Sequence, residues 1–258
     1  MMTNRKQVVG LSLKNYINSM NKTKELCEEI NVLTGKDESI EQFLFPSLGT
    51  LTVAVDILGN SAIGYGSQNI CPFENGAYTG EFSIETLVDL NGGYVELGHH
   101  ERLTIFGETP EMVHSKIHLA LKNSIVPVVC IGEGQTKVDF NSFKYILTDQ
   151  IESYFGKDIS AHSSKIILAY EPGWAIGKAE AADANFVHKA HGIIREIWEK
   201  LYGKNASEEV RIIYGGSVSE VNSPDIIDDD NVDGVFIGRF GHDPSKFAEI
   251  VSIVKTQK

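Results

Sequence analysis

Eight short apolar runs recur along the chain, and most are followed by a longer stretch whose apolar residues keep helical spacing. The runs cover residues 8–13, 42–45, 62–66, 94–97, 126–131, 166–170, 210–214 and 232–237. Most are continuously apolar without clean alternation, which reads as strands buried on both faces, the habit of parallel sheets. Helical patterns at 22–33, 110–123, 140–154, 184–202 and 244–254 lie between or after them. Asn21, Thr109, Asp139, Asp183 and Asp243 stand directly before these patterns and suit the capping of a first turn. Parallel neighbours cannot be joined by a tight hairpin, so each strand needs a crossover, usually a helix. Eight such units in 258 residues have the size of a single-domain (β/α)8 barrel. No linker, repeat or low-complexity tract divides the chain. A doubly wound open sheet is the competing arrangement. Its dinucleotide-binding form requires a GxGxxG turn after the first strand, and Leu11-Ser12-Leu13-Lys14-Asn15-Tyr16 contains none.

Charge narrows the partners. With 23 Lys+Arg against 35 Asp+Glu the formal net charge is -12, a field that repels nucleic-acid backbones and anionic membranes. An anionic small molecule could still bind where backbone N–H groups and one or two cations make a local positive site. Cys27, Cys71 and Cys130 are widely spaced and odd in number, which fits neither a disulfide framework nor a zinc site and favours a reducing compartment. Residues 1–6 are polar and lead straight into the first strand, with no apolar stretch resembling a signal peptide or membrane span, so the expectation is a cytoplasmic protein. His188 and His191 share one helical pattern but lack further ligands, and are expected to be surface histidines. The run Asp228-Asp229-Asp230 reads as a solvated helix end.

In a barrel, chemistry gathers at the C-terminal ends of the strands. Lys14 follows the first run, His99-His100-Glu101-Arg102 the fourth, Glu171 the sixth and Gly215-Gly216-Ser217 the seventh. Taken singly these are rim residues and turns. Together they would bring a cation, an imidazole, a carboxylate and glycine-rich turns to one mouth.

Three motifs, in order, make that constellation recognisable: Glu96-Leu97-Gly98-His99-His100-Glu101-Arg102, Ala169-Tyr170-Glu171-Pro172-Gly173-Trp174-Ala175-Ile176-Gly177 and Tyr214-Gly215-Gly216-Ser217-Val218. They resemble the triosephosphate isomerase family. The resemblance extends through Gln68-Asn69, Gly76-Ala77-Tyr78-Thr79-Gly80-Glu81, Cys130-Ile131-Gly132-Glu133 and Asp233-Gly234, so it spans nearly the whole chain. That family is a standard case of pKa tuning, and the resemblance implies a role for each matching residue. Glu171 would remove a proton beside the substrate carbonyl. His99 would be a neutral imidazole that hydrogen-bonds the carbonyl oxygen and stabilises an enediolate. Lys14 would supply fixed positive charge, and Glu101 resembles the family's buried carboxylate behind the site, unless it simply pairs with Arg102. The segment from Pro172 to Lys178 resembles a lid that excludes water. Backbone N–H groups of Gly177, Ser217 and Gly238 would hold a phosphate, helped by a short helix after the eighth strand. A carboxylate and a hydrogen-bond donor suffice for such proton transfer, so no metal or organic cofactor is expected. The segment from Gln68 to Glu81 resembles a protruding loop that docks into a second subunit, implying an isologous homodimer.

The sequence departs from the family pattern at four places. Ser12 stands where Asn is usual, and His100 where Ser is usual. The lid passes from Ile176-Gly177 directly to Lys178 without the usual Thr-Gly. Gly238-Arg239 replaces a pair of glycines. Ser12 and Gly238-Arg239 also resemble a side branch that isomerises four-carbon erythrulose phosphates through the same enediolate chemistry. The expected activity is interconversion of glyceraldehyde 3-phosphate and dihydroxyacetone phosphate. The alternatives are isomerisation of L-erythrulose 1-phosphate to D-erythrulose 4-phosphate, and a barrel that binds phosphosugars without turnover. Ser12, Gly177, Ser217, Gly238 and Arg239 are the expected substrate-binding residues in the catalytic readings.

Overall fold

The computed structural model describes residues 5–176 and 182–257. Eight parallel strands close on themselves in sequence order: β1 (Val8–Ser12), β2 (Glu41–Phe45), β3 (Ile63–Ser67), β4 (Tyr94–Leu97), β5 (Val126–Ile131), β6 (Ile167–Tyr170), β7 (Arg211–Tyr214) and β8 (Gly234–Ile237). β1 pairs with β2 on one side and with β8 on the other, so the sheet has no free edge. Helices surround it: α1 (Met20–Thr34), α2 (Leu51–Leu58), α3 (Ile84–Asp89), α4 (His100–Thr104), α5 (Pro110–Lys122), α6 (Phe140–Phe155), α7 (Ala184–Tyr202), α8 (Lys204–Glu209), α9 (Ser223–Ile227) and α10 (Pro244–Thr256).

Successive strand side chains point to opposite faces, and the core divides accordingly. Outward residues such as Val9, Leu11, Val95, Leu97, Leu168 and Tyr170 pack under the helices. Inward residues Val8, Phe43, Phe45, Val128, Cys130, Ile167, Ala169, Ile213 and Phe236 fill the barrel. Gly10 leaves room for two of them, because a Cβ there would lie 2.3 Å from the Phe43 ring. α7 buries Val187, Ala190, Ile194, Ile197 and Trp198 along one face, each large side chain removed from water contributing about 1.5–3 kcal/mol.

That face also corrects one expectation. His191 is not a surface histidine: it is fully buried, its Nδ1 lies 3.3 Å from the Asn231 carbonyl, and its ring packs edge-on against Tyr170. Its place on the inward stripe of α7, four residues after Val187 and three before Ile194, overrides the polar reading. His188 is half-buried, and its Nε2 lies 3.0 Å from the Asp225 carbonyl. Asp228 directly follows α9, so the acidic run does close a helix. All three cysteines are buried and free. Among the described residues no helix is long and apolar enough to cross a membrane, and no group of three His, Cys, Asp or Glu is placed to hold a metal ion.

Candidate active site

Inward alternation carries past the strand ends and brings the rim residues to the mouth. Ser12 follows Val8 and Gly10 on the inward side of β1, and Glu96 follows the inward-packed Tyr94 on β4. Glu171 follows Ala169, Gly215 follows Ile213, and Gly238 follows Phe236. His99 is out of step with Glu96. Gly98, at φ +68°, turns the chain between them into a region open to glycine. Ser12, Lys14, His99, Glu171, Ser217, Gly238 and Arg239 then line one cavity of about 100 Å³. Lys14 and Ser217 have φ values of +46° and +57°. Such left-handed backbone is uncommon outside glycine and tends to gather at functional sites.

His99 caps the N-terminus of α4. Its Nδ1 accepts the Glu101 N–H at 3.1 Å, which places the ring proton on Nε2, and Nε2 lies 3.6 Å from Glu171 Oε2. Burial, with the positive charge of Lys14 and of His100 adding to it, holds the imidazole down to about 3, so it is neutral at physiological pH. Glu171 is pushed the other way. Burial raises its carboxyl to about 8, Lys14 partly offsets this, and the charge of Glu96 adds to it. The base sits against bare backbone: a Cβ on Gly215 would lie 2.8 Å from Glu171 Cγ. Burial pulls the Lys14 ammonium down, but Glu171, Glu101 and Glu96 together hold it above its usual range.

Glu101 corrects a second expectation. It is not a buried carboxylate, being 43% exposed in its side chain, and it pairs with Lys14 at 2.9 Å. Arg102 turns away to Glu108 at 2.9 Å. The two are successive residues of a helix and cannot share a direction. His100 reaches over the β5–α6 connection, where Gln135 Nε2 donates to its Nε2 at 3.3 Å.

On the opposite side of the mouth the Ser217 hydroxyl donates to the Ala175 carbonyl at 2.9 Å. Trp174 Nε1 donates to Glu133 at 2.5 Å, and the Tyr214 hydroxyl accepts the Ala182 N–H at 3.0 Å. Both ends of the 172–182 segment are therefore tied to the barrel. Gly177 and Lys178, the end of the segment expected to act as a lid, lie outside the described residues. Gly238 precedes a short 3-10 turn, Arg239–His242.

Two elements of the site are not evident from sequence. Tyr214, which stands in the third motif with no role of its own, holds the chain at Ala182, beyond the segment from Pro172 to Lys178. Glu96 is a buried carboxyl beneath the mouth, 3% exposed, and accepts the Ser12 hydroxyl at 2.8 Å. A lone charge inside the apolar run 94–97 is the one signal of it in the sequence.

The chain matches the triosephosphate isomerase family over residues 7–254. It is 46% identical over 254 residues to the "Probable triosephosphate isomerase 2" of Listeria monocytogenes, covering 98% of this chain and 99% of that one. It is 36% identical to the triosephosphate isomerase of Francisella philomiragia, covering 89% and 90%, and 33% identical to that of Dictyoglomus thermophilum, covering 96% and 99%. With a closed barrel whose mouth holds the motif carboxylate, imidazole and lysine, and a match along nearly its whole length, the chain belongs to the triosephosphate isomerase family and is an aldose–ketose isomerase of that type.

Proposed function

We propose that Glu171, His99 and Lys14 carry the interconversion of glyceraldehyde 3-phosphate and dihydroxyacetone phosphate. The observation that supports it most directly is convergence: a buried carboxylate and the Nε2–H of a neutral imidazole face one another across 3.6 Å at the floor of the cavity. Triosephosphate isomerase itself is the standard case of a neutral histidine electrophile paired with a glutamate base. Glu171 takes the proton from the carbon beside the carbonyl. His99 donates to the carbonyl oxygen as it gains negative charge, where a preorganised donor contributes most. The same carboxylic acid then returns the proton to the neighbouring carbon, and the oxygen-bound proton changes places. Lys14 stabilises the enediolate by charge. The phosphate rests on the N–H groups of Gly177, Ser217 and Gly238, with Arg239 adding a cation.

Turnover of glyceraldehyde 3-phosphate beside L-erythrulose 1-phosphate, with Glu171→Gln as the control for contaminating enzyme, tests the reading. The expected result is a higher specificity constant for the triose, and the names of the relatives favour that substrate. Preference for the tetrulose would instead make Ser12, the short lid and Arg239 specificity determinants. Inertness toward both would leave a phosphosugar-binding barrel. Cytoplasmic placement belongs to this reading, and three buried, unpaired cysteines suit a reducing compartment.

The proposed assembly is an isologous homodimer through the loop from Gln68 to Glu81. Phe73 and Tyr78 stack at 4.5 Å and stay exposed, as do Tyr16, Leu48, Ile105 and Phe106 on neighbouring loops. A second cavity, lined by Leu48 and Phe106, shares Ser12, Lys14, His99 and Glu101 with the first and offers a seat for a loop tip. Exposed apolar side chains gathered around such a seat suit a protein interface. Tyr78→Asp is expected to give monomers in sedimentation velocity and to lower kcat by about 100-fold, the size of effect that a misplacement near 1 Å can have. A wild-type chain that sediments as an active monomer would end the dimer reading.

A further inference from the structure

On the flank of the barrel, α5 carries a pair of histidines that neither cavity at the mouth includes. His114 and His118 stand four residues apart, the spacing at which successive helical turns bring side chains together. Their rings lie 4.3 Å apart centre to centre, tilted by 58°. The last turn of α6 backs them. The Tyr154 carbonyl lies 3.0 Å from His114 Nδ1, and the Phe155 carbonyl bonds the His118 ring. Gly156, at φ +63°, then turns the chain away without crowding His114, whose Cε1 would meet a Cβ there at 3.3 Å.

Those carbonyls decide what the rings have left to offer. A carbonyl oxygen only accepts, so His114 Nδ1 carries the ring proton and Nε2 of the neutral imidazole keeps its lone pair. His118 likewise gives one N–H to a carbonyl and keeps one lone pair. This is the arrangement of a metal-bound histidine, whose second nitrogen donates to a carbonyl or carboxylate and thereby fixes tautomer and ring. Paired histidines at i and i+4 of a helix are also the zinc ligands of the HExxH motif. The spacing fits. With a ligand nitrogen about 2.0–2.1 Å from the ion, each ring centre lies about 3.2 Å from it, and two rings bound at right angles are about 4.5 Å apart.

We propose that His114 and His118 form a two-histidine site for a first-row divalent transition ion, the class that imidazole nitrogen prefers. Among the described residues no third His, Cys, Asp or Glu joins them as a ligand, so water completes the coordination. His118 is exposed and His114 half-buried, which leaves that side open to solvent. The charge of Asp158 reaches His118 and favours a cation there, while His162, also within reach, stands outside the pair. The bound ion bridges two turns of α5 whose rings are already tied to the end of α6. It therefore stabilises the folded chain by linkage and has no part in turnover at the mouth.

The test is calorimetric titration of the chain with Cu²⁺, Zn²⁺ and Mg²⁺, for the wild type, His114→Ala, His118→Ala and His162→Ala, with metal-free thermal melts to establish folding. His118 is exposed, so its substitution leaves the fold in place even if that of His114 does not. One Cu²⁺ or Zn²⁺ is expected to bind per chain, Cu²⁺ the more tightly, and Mg²⁺, which takes oxygen ligands, should not bind. Loss of either paired histidine should weaken Cu²⁺ binding by about 10- to 100-fold, and loss of His162 by less than about 2-fold. The electron paramagnetic resonance spectrum of the Cu²⁺ form should show nitrogen splittings from two imidazoles in the wild type and from one in His118→Ala. Saturating Zn²⁺ should raise the Tm of the wild type and leave that of His118→Ala unchanged. Equal Cu²⁺ affinity in wild type and His118→Ala would overturn the proposal, as would a wild-type spectrum with a single imidazole nitrogen.

Discussion

Glu171→Gln is expected to reduce kcat by about 10²- to 10⁴-fold, the usual contribution of a positioned general base, with KM nearly unchanged. Glutamine keeps the shape of the side chain at the contact with Gly215 and removes only the basic oxygen. The loss should therefore fall on the chemical step, the pattern of an interaction made in the transition state alone. The wild-type pH profile carries a second part of the same prediction. Glu171 works ionised, and burial raises its carboxyl to about 8 from 4.5, so kcat/KM should fall as pH drops through that value. His99 stays neutral until about pH 3, so no imidazole limb should appear between pH 5 and 8, where an unperturbed histidine would titrate. Steady-state rates across pH 5–9 check both. A Gln variant within ten-fold of wild type would remove Glu171 from the role of base.

The second large effect is on stability. Lys116 of α5 and Glu108, both about 1% exposed in their side chains, form an ion pair beneath the loop that follows β3. Glu108 Oε1 also accepts from Asn69 Nδ2 and Arg102 Nε, each at 2.9 Å, and Lys116 donates to Asn69 Oδ1 at 2.9 Å. The network joins the base of the projecting loop to α5 and to the helix carrying Glu101. Glu108 is held below the usual carboxylate range because Lys116 and Arg102 together outweigh its burial. For Lys116 burial prevails, and its ammonium is held below its usual range. The two directions agree once the sharing is counted: one carboxylate has two cations, and each cation has part of one carboxylate. Lys116→Met would leave Glu108 buried with less compensation and is expected to cost about 3–5 kcal/mol. For a chain of this size that is a fall in Tm of about 6–20 °C. Glu108's stabilisation is fully present above its unfolded pKa and is lost as pH falls through its lower folded value. The gap between variant and wild type should accordingly narrow in acid. Urea titrations at pH 7 and pH 4 measure it, and equal unfolding free energies at pH 7 would contradict the assignment.

The barrel was legible because its signals are local. The runs at 94–97 and 126–131 coincide with β4 and β5, where turn residues bound short, mostly apolar stretches. The run at 232–237 overreached by two residues. Asp233 accepts the Ile212 N–H and binds Arg5 and Arg195, so it closes the turn before β8 instead of joining it. The short helices α3, α4, α8 and α9 give five or six residues each, too few turns for periodicity to register. Glu101 was misread because its environment depends on α4 lying across the mouth beside Lys14, which nothing in its neighbours announces.

The sequence by itself determined the alternation of strand and helix, and with it the places where Lys14, His99, Glu171 and Ser217 leave the barrel rim. Spacing and turn chemistry act over a few residues, and these suffice for that order. Only the tertiary structure decided what each group is chemically. Ser12 and Glu96 lie 84 residues apart in sequence and 2.8 Å apart in space. Whether an imidazole is neutral and how far a buried carboxyl is raised depend on desolvation and on charges brought in by other strands. Those energies arise only when the barrel closes and excludes water from its floor.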